Sequence, residues 1–254
     1  MEFPWAAEDV PFVDTKQMIE VDRAMIEDFH IELIQMMENA GRNLAHLARH
    51  RFLDGDPRGK TVIVLAGTGG NGGGALVAAR RLHNYGATVQ VFLTKPDEAF
   101  TPVPGHQLDI LRRMNLPIGF VADLEKPVVS GVEAAVSADL ILDGIIGYSL
   151  QGAPRGAATE LIRWANQQNA PILALDAPSG VGTTSGTVFT PAIQATATMT
   201  LALPKAGLLA NGVAAQVGEL YLADISVPPD LYSEPALQLN VGQLFAQSDI
   251  IRLK

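Results

Sequence analysis

The chain has 254 residues, of which 48% are hydrophobic and 18% charged, which suits one large α/β domain and excludes a disordered chain. Its formal net charge of −9 argues against nucleic acid as a partner, because binding to a phosphate backbone needs clustered Lys and Arg. The absence of cysteine excludes a disulfide framework and a thiolate nucleophile, and fits a cytoplasmic protein. We see no secretory signal and no stretch apolar enough to span a bilayer, so no membrane association is expected.

The N-terminal part of the chain is predicted to be helical. Apolar residues recur at three- and four-residue spacings over Thr15–Phe52, and the pattern slips at His30, where we predict a break between two helices. This Met-rich segment, residues 1–59, is expected to pack on the core. It carries more apolar surface than one flanking helix needs, so we also expect it to form a homodimer interface.

From Lys60 onward, predicted strands alternate with predicted helices. The strands are Thr61–Ala66, Thr88–Leu93, Ile118–Val121, Ala138–Asp143, Pro171–Asp176, Ala197–Leu203 and Glu219–Ala223. The clearest helices are Gly74–Tyr85, Pro104–Met114 and Ala157–Gln168. Near-continuous runs of Val, Ile and Leu are typical of strands covered on both faces. The pattern therefore predicts one α/β domain over residues 1–254. We expect a doubly wound, mainly parallel sheet with helices on both faces, and residues 225–254 as a tail wrapped around the core.

A glycine-rich stretch, GTGGNGGGA, follows the first predicted strand. Unpaired backbone N–H groups at the start of the next helix suit a phosphate or diphosphate, although a glycine-rich turn can also serve packing alone. Glycines 67, 69 and 72 satisfy G-x-G-x-x-G, and the P-loop spacing of nucleoside triphosphatases is absent. The second strand ends in VFLTK (Val91–Lys95), with no acidic residue for a ribose hydroxyl, which disfavours an ordinary NAD-dependent dehydrogenase.

Two more polar motifs follow predicted strands: DGIIGYSLQGAPRG, which begins at Asp143, and DAPSG, which begins at Asp176. Ligands of open parallel sheets lie beyond the carboxyl ends of the strands, so all three motifs are expected at one edge. Either aspartate alone could be a turn or capping residue. Together with the Asn71 amide and the Ser179 hydroxyl, they offer oxygen ligands for a monovalent cation such as K⁺. A carboxylate not used by the ion remains for acid–base chemistry.

These motifs, with QMIEVDRAMIE and MMENAG (Met36–Gly41) before them, resemble the NAD(P)H-hydrate epimerase family, also called the YjeF N-terminal domain family. The resemblance covers about Thr15–Ala223, including LALDAPSGV and ATMTLALPKAGLL in the family order. It implies a Rossmann-like isomerase that interconverts the two C6 epimers of hydrated NADH and NADPH, so that a dehydratase can restore both. The chain stops at Lys254 without a dehydratase domain, so a separate dehydratase partner is expected.

The resemblance also implies roles for particular residues. It places one K⁺ per subunit at Asn71, Asp143 and Ser179, and it makes Asp176 the catalytic acid–base group. Lys205 is similar to a family lysine and could meet a phosphate, Asp176 or solvent. The substrate-binding residues implied are Gly70, Asn71, Gly72, Gly73, Gly74, Gly147, Tyr148, Ser149, Leu150, Gln151, Gly152, Ala153 and Asp176.

The glycine loop departs from the family pattern GPGNNGGDGLVAARHL. Gly70 stands for an asparagine, Gly74 for the aspartate and Ala75 for the last glycine. We expect phosphate binding to survive through the backbone and Asn71, while polar contacts to the nicotinamide or ribose are lost. A catalytically impaired relative, acting as a nucleotide-binding or protein-interaction module, is therefore the alternative to an active epimerase.

Overall fold

The computed structural model describes residues 3–7, 9–123 and 137–253, in which eight strands form one sheet. The spatial order of the strands is β3-β2-β1-β4-β5-β6-β7-β8, and every neighbouring pair is parallel except β7 and β8. This arrangement confirms the predicted Rossmann-like, mainly parallel sheet. The strands are β1 (Thr61–Ala66), β2 (Thr88–Leu93), β3 (Ile118–Phe120), β4 (Leu140–Gly144), β5 (Ile172–Leu175), β6 (Ala197–Leu201), β7 (Glu219–Ala223) and β8 (Ile250–Arg252).

Helices cover both faces of the sheet, as predicted. They are α1 (Thr15–Glu27), α2 (Leu33–Phe52), α3 (Gly70–Asn84), α4 (Pro102–Arg113), α5 (Ala157–Asn166), α6 (Ala214–Val217) and α7 (Pro229–Ser233). Alternate residues of β1 point to opposite faces. Val62 and Val64 belong to a core cluster with residues of α2, α3 and α4, whereas Ile63 and Leu65 share a cluster with residues of α5. The result is a three-layer α/β/α domain.

Two N-terminal helices form where the apolar spacing predicts them. Asp14 caps α1 in a reciprocal capping box, in which its carboxylate accepts the Gln17 N–H at 2.8 Å and the Gln17 side chain accepts the Asp14 N–H at 2.9 Å. The helix ends at Glu27, and His30 has a φ of 54°, which confirms the predicted break. Glu38 of α2 then accepts hydrogen bonds from Arg80, Arg81 and Gln107, so a half-buried carboxylate joins α2 to α3 and α4.

The helix that follows β1 begins at Gly70, whereas the sequence predicted its start at Gly74. The turn is thus confined to Gly67–Gly69, and the remaining loop glycines form the first turn of α3. Close packing explains why glycine is used in this helix. A Cβ on Gly72 would lie 1.9 Å from the Gly67 carbonyl oxygen, and a Cβ on Gly73 would lie 2.4 Å from the Met37 sulfur. The Ala75 methyl packs against Gly144 at the end of β4, where a Cβ on that glycine would lie 2.3 Å from it.

The C-terminal tail contributes to the sheet. Ile250–Arg252 form β8, which pairs antiparallel with β7, and Trp5 bridges to Arg252. The sequence predicted no strand here, because three residues are too few to show a period of two. Leu231 and Tyr232 of α7 pack in a core cluster with Met18 and other residues of α1. Among all the residues that the structure describes, no helix is long and apolar enough to cross a membrane.

Two glycines of α3 offer a matched test of how closely this helix packs against the turn after β1. Gly72→Ala is expected to lower the free energy of unfolding by about 2 kcal/mol or more, because its methyl meets a backbone carbonyl that cannot move aside. The methyl of Gly70→Ala meets nothing within 4 Å, so this variant is expected to change the free energy of unfolding by less than about 0.5 kcal/mol. Urea titration of both variants gives the comparison, and equal effects would contradict the packing role.

Candidate functional site

A cleft of about 860 Å³ lies beyond the carboxyl ends of β1, β4 and β5. Its wall includes residues 67–71 after β1, 145–149 after β4 and Asp176 after β5. β1 and β4 are neighbours in the sheet, and the winding direction reverses between them. The volume lies in the range of small-molecule sites. The expectation that the three motifs share one edge is confirmed.

Asp176 sits on a strained turn at the end of β5. It has a φ of 64°, and the Ala177 N–H donates to the Leu175 carbonyl at 2.8 Å, which makes Asp176 the central residue of a tight γ-turn. The sequence predicted that the strand extended through Asp176, but β5 ends at Leu175. A positive φ is uncommon for a residue other than glycine, and such strain is concentrated at functional sites. The turn holds a 3% exposed carboxylate in the cleft wall.

Lys205 is the partner of this carboxylate. Its ammonium donates to Asp176 Oδ1 at 2.5 Å and to the Leu201 carbonyl at 2.8 Å, and the side chain is completely buried. The sequence left its environment open, and the structure places it in the cleft wall beside the acid. A buried ion pair of this kind is stable only when both charges are well bonded, because each has lost its hydration.

Tyr148 connects Asp176 to the N-terminal helix. Its backbone N–H donates to Asp176 Oδ2 at 3.1 Å, and its hydroxyl donates to Asp22 Oδ2 at 2.5 Å. Burial is the main cause that raises the pKa of Asp22, and burial together with the Asp22 charge raises the pKa of Tyr148. The sequence reasoning missed Asp22. The available signal was an acid at position 22 between the buried Met18 and Met25, on the apolar face of α1.

Asp143 and Ser179, which belong to two of the motifs expected at one edge of the sheet, form a second polar cluster. Asp143 is fully buried, and its carboxylate accepts the Ser179 hydroxyl at 2.6 Å and the Ser179 N–H at 2.8 Å. The Ile145 N–H also donates to it, at 3.1 Å, and the Ser179 hydroxyl accepts the Ile146 N–H at 2.9 Å. Desolvation raises the pKa of Asp143 to about 6, although these hydrogen bonds oppose the shift.

Asn71 lies in the first turn of α3, and both polar atoms of its amide are buried without a hydrogen-bond partner. Its side chain lies against Gly147, where a Cβ would come within 3.1 Å of the amide carbon. Buried polar atoms are nearly always bonded, so a buried amide without a protein partner is suited to bind a ligand or a water. The structure joins Asp143 to Ser179 directly, and it brings Asn71 to the neighbouring loop without a hydrogen bond to either.

The other residues proposed for substrate binding divide into two groups. Gly70, Gly147, Tyr148 and Ser149 line the cleft with Asn71 and Asp176. The second group is outside its wall and comprises Gly72, Gly73, Gly74, Leu150, Gln151, Gly152 and Ala153. The three glycines of the second group are buried in α3, where they pack against protein atoms.

The fold and this edge together define a Rossmann-like ligand-binding domain with buried acid and ammonium groups at its topological switch point. Residues 33–207 match the family model described as YjeF-related protein N-terminus, and the chain belongs to this family.

Curated relatives include proteins of about the same length and longer ones. The chain is 42% identical over 236 residues to the NAD(P)H-hydrate epimerase of Dehalogenimonas lykanthroporepellens, covering 93% of this chain and 90% of that protein. It is 35% identical over 210 residues to the NAD(P)H-hydrate epimerase of Truepera radiovictrix, covering 83% and 87%. The bifunctional NAD(P)H-hydrate repair enzyme Nnr of Moorella thermoacetica is 34% identical over 219 residues, but the chain spans only 41% of its length.

A solved structure shares the fold. The crystal structure of yeast ynu0, YNL200c, superposes with a TM-score of 0.78 at 24% identity, covering 96% of this chain and all of that one. At this identity, the likeness concerns the fold alone.

The Asp176–Lys205 pair yields a prediction on stability. Lys205→Met leaves the carboxylate buried without its ammonium, and we expect the free energy of unfolding to fall by about 3–5 kcal/mol. In Asp176→Asn/Lys205→Met both charges are gone, and much of the loss is expected to be recovered. Urea denaturation of the wild type, both single variants and the double variant closes a double-mutant cycle. Additive losses would contradict a coupled pair.

Proposed function

We propose that this protein is an NAD(P)H-hydrate epimerase, an isomerase that interconverts the R and S forms of hydrated NADH and NADPH. The observation that carries the proposal is the buried Asp176–Lys205 pair on a strained turn in the cleft wall. The names of two relatives that match most of this chain and most of their own length support it. The family match supports the same assignment.

Epimerisation at C6 of the hydrated ring requires the C6–O bond to break and to form again on the other face. The ring nitrogen donates its electron pair as hydroxide leaves, and the hydroxide must receive a proton to depart as water. The Lys205 ammonium, which already donates to Asp176 Oδ1 at 2.5 Å, supplies that proton through Asp176, so that Asp176 is again a carboxylate once the C6–O bond has broken. When water returns to C6 on the opposite face, the Asp176 carboxylate takes its proton and passes it back to the neutral Lys205 amine. The sum is an isomerisation with no net proton transfer.

The altered glycine loop leaves this machinery in place. Gly70 lies on the cleft wall with open space at its Cα. Where the family pattern has an asparagine, this chain therefore has one amide fewer in the wall. A Cβ on Gly74 would lie 2.8 Å from Leu175 Cδ2, so the lost aspartate is replaced by close apolar packing. Neither change touches the hydrogen bonds of Asp176, Lys205 or Tyr148. The geometry therefore favours an active epimerase over the impaired relative.

We also infer a bound monovalent cation, K⁺, beside Asn71, Asp143 and Ser179. The unpartnered Asn71 amide and the fully buried Asp143 carboxylate, which has no basic partner in the described part of the chain, fit such an ion. No group of three or more His, Asp or Glu that could hold a metal occurs among the described residues, so a monovalent ion suits this site better than a divalent one. The ion would supply positive charge near the anionic substrate.

The inferred partners are a second copy of the chain and a separate dehydratase. Phe12, Ile19 and Ile26 expose large apolar side chains along the N-terminal segment, which supports a homodimer through α1. Relatives about twice as long as this chain are named bifunctional NAD(P)H-hydrate repair enzymes, and a second activity on the same hydrates supports a dehydratase as the partner. The proposed setting is the cytoplasm.

Exchange of the cation in the buffer gives one test of the ion site. Replacing a bulky cation with about 100 mM K⁺ is expected to raise the free energy of unfolding by about 1 kcal/mol or more, because the ion binds only the folded chain. Asn71→Leu is expected to abolish this gain, whereas Asn84→Leu, at an exposed position at the end of the same helix, is expected to keep it. Thermal or urea unfolding in both salts is the measurement. An equal response of all three proteins would remove Asn71 from an ion site.

The substitution Asp176→Asn tests the acid–base assignment. We expect conversion of R-hydrated NADPH into the S epimer to fall by about 10²–10⁴-fold, the usual effect of losing a positioned acid or base. Binding of NADP⁺ is expected to stay within a few-fold, because the amide keeps the shape of the carboxyl group.

Two further variants complete that experiment. Asp109→Asn removes an exposed carboxylate from α4 and is expected to have no effect on rate. The double variant Asp176→Asn/Lys205→Met is expected to regain stability without regaining rate, which separates loss of chemistry from loss of fold. Near-normal turnover by Asp176→Asn would exclude this residue from the mechanism, and an inactive wild type that still binds NADP⁺ would support the binding-module alternative.

A further inference from the structure

One end of the cleft is formed by the residues that follow β2. Thr94 and Lys95 line the cleft beside the turn residues Thr68 and Gly69. The Thr94 N–H donates to the Ala66 carbonyl at 3.1 Å, and the Thr101 N–H donates to the Thr68 carbonyl at 3.2 Å. These bonds fix the segment after β2 against the glycine turn. The backbone of Lys95 is therefore held at a defined position at the edge of the cleft.

The charge at this end of the cleft is not balanced. Arginines of the two helices that flank the glycine turn are paired with carboxylates: Arg112 of α4 with Asp97 at 2.8 Å, and Arg81 of α3 with Glu38 at 3.3 Å. By contrast, Lys95 and Arg155 are exposed, line the cleft and make no ion pair or hydrogen bond through their side chains with any residue in 3–7, 9–123 or 137–253.

The carboxylates in the cleft wall do not neutralise these two cations. Asp22 is hydrogen-bonded to Tyr148, and Asp176 is bonded to Lys205. In a chain with a net charge of −9, two unpaired cations in one cleft indicate an anionic ligand with more than one charged group.

In a Rossmann-like site, the end of the second strand faces the ribose of the adenosine. An acidic residue there binds the free 2′-hydroxyl, whereas a basic residue nearby accommodates a 2′-phosphate. Lys95 occupies this position, two residues beyond the end of β2. Arg155 lies directly before Gly156, the N-cap of α5, and suits a phosphate that both forms of the dinucleotide carry.

We propose that Lys95 binds the 2′-phosphate of hydrated NADPH, so that the protein prefers the hydrate of NADPH to that of NADH. This proposal rests on the proposed function for its substrate and adds the specificity-determining residue. Lys95 acts in binding and takes no part in the chemistry at C6.

The test compares Lys95→Gln with the wild type in two measurements. Calorimetric titration with NADP⁺ and NAD⁺ gives the binding preference, and kcat/KM for the two hydrates gives the kinetic preference. In both, the wild type is expected to favour the 2′-phosphorylated form, and Lys95→Gln is expected to reduce that ratio about tenfold, as for the loss of one charged hydrogen bond. Lys16→Gln, at an exposed and unpaired lysine outside the cleft wall, is the control and is expected to leave the ratio unchanged.

The outcomes separate this proposal from the proposed function. Arg155→Gln is expected to weaken both dinucleotides alike. A Lys95→Gln protein that keeps the wild-type ratio, or that loses affinity equally for both forms, would overturn the role of Lys95 even if epimerisation is observed. A protein that epimerises neither hydrate but shows a Lys95-dependent preference for NADP⁺ would overturn the proposed function and its substrate, and only the recognition of a 2′-phosphate by Lys95 would stand.

Discussion

The structure depends on the close approach of α3 to the ends of β1 and β4. Glycine at positions 72 and 144 allows backbone to contact backbone and the Ala75 methyl, at distances that no larger side chain would permit. The approach brings the first turn of α3 into the space where the sheet changes its winding direction. The first turn of α3 with its buried Asn71 amide and the loops after β4 and β5 then line one cleft. Without that contact, the same motifs would remain separate turns at the edge of a sheet.

Desolvation shapes the chemistry at this edge. Lys205, Asp176 and Asp143 are almost entirely removed from water, and each keeps its place through several hydrogen bonds. A carboxylate with its partner already in position does not have to reorganise solvent when a proton moves. This arrangement lowers the stability of the folded state, because the γ-turn at Asp176 and the buried charges are both unfavourable by themselves.

The sequence predicted the layers, the strands and the shared edge, because runs of apolar residues and glycine-rich turns are local signals. It predicted neither the helical start at Gly70 nor β8, since the first depends on packing with Gly67 and Met37 and the second on pairing with β7. The order of the motifs predicted that Asp143 and Ser179 lie at the same edge, but not that they bond directly to each other. The sequence missed the buried position of Asp22, and for Lys205 it left Asp176, a phosphate and solvent open as partners. The partners of both residues come from distant parts of the chain, so only the folded structure shows which group each one meets.

The contact between Val13 and Lys205 has a consequence for the way the protein folds. The Val13 N–H donates to the Pro204 carbonyl at 3.0 Å, and the Ala206 N–H donates to the Val13 carbonyl at 2.9 Å, so a residue near the N-terminus holds the segment around the buried ammonium. Contacts with so large a separation along the chain form late, after loop closure over most of the sequence. Docking of the segment before α1 onto the residues after β6 is therefore expected late in folding. The glycine turn needs only local contacts, whereas the buried pair of Asp176 and Lys205 is enclosed only after distant segments of the chain have met.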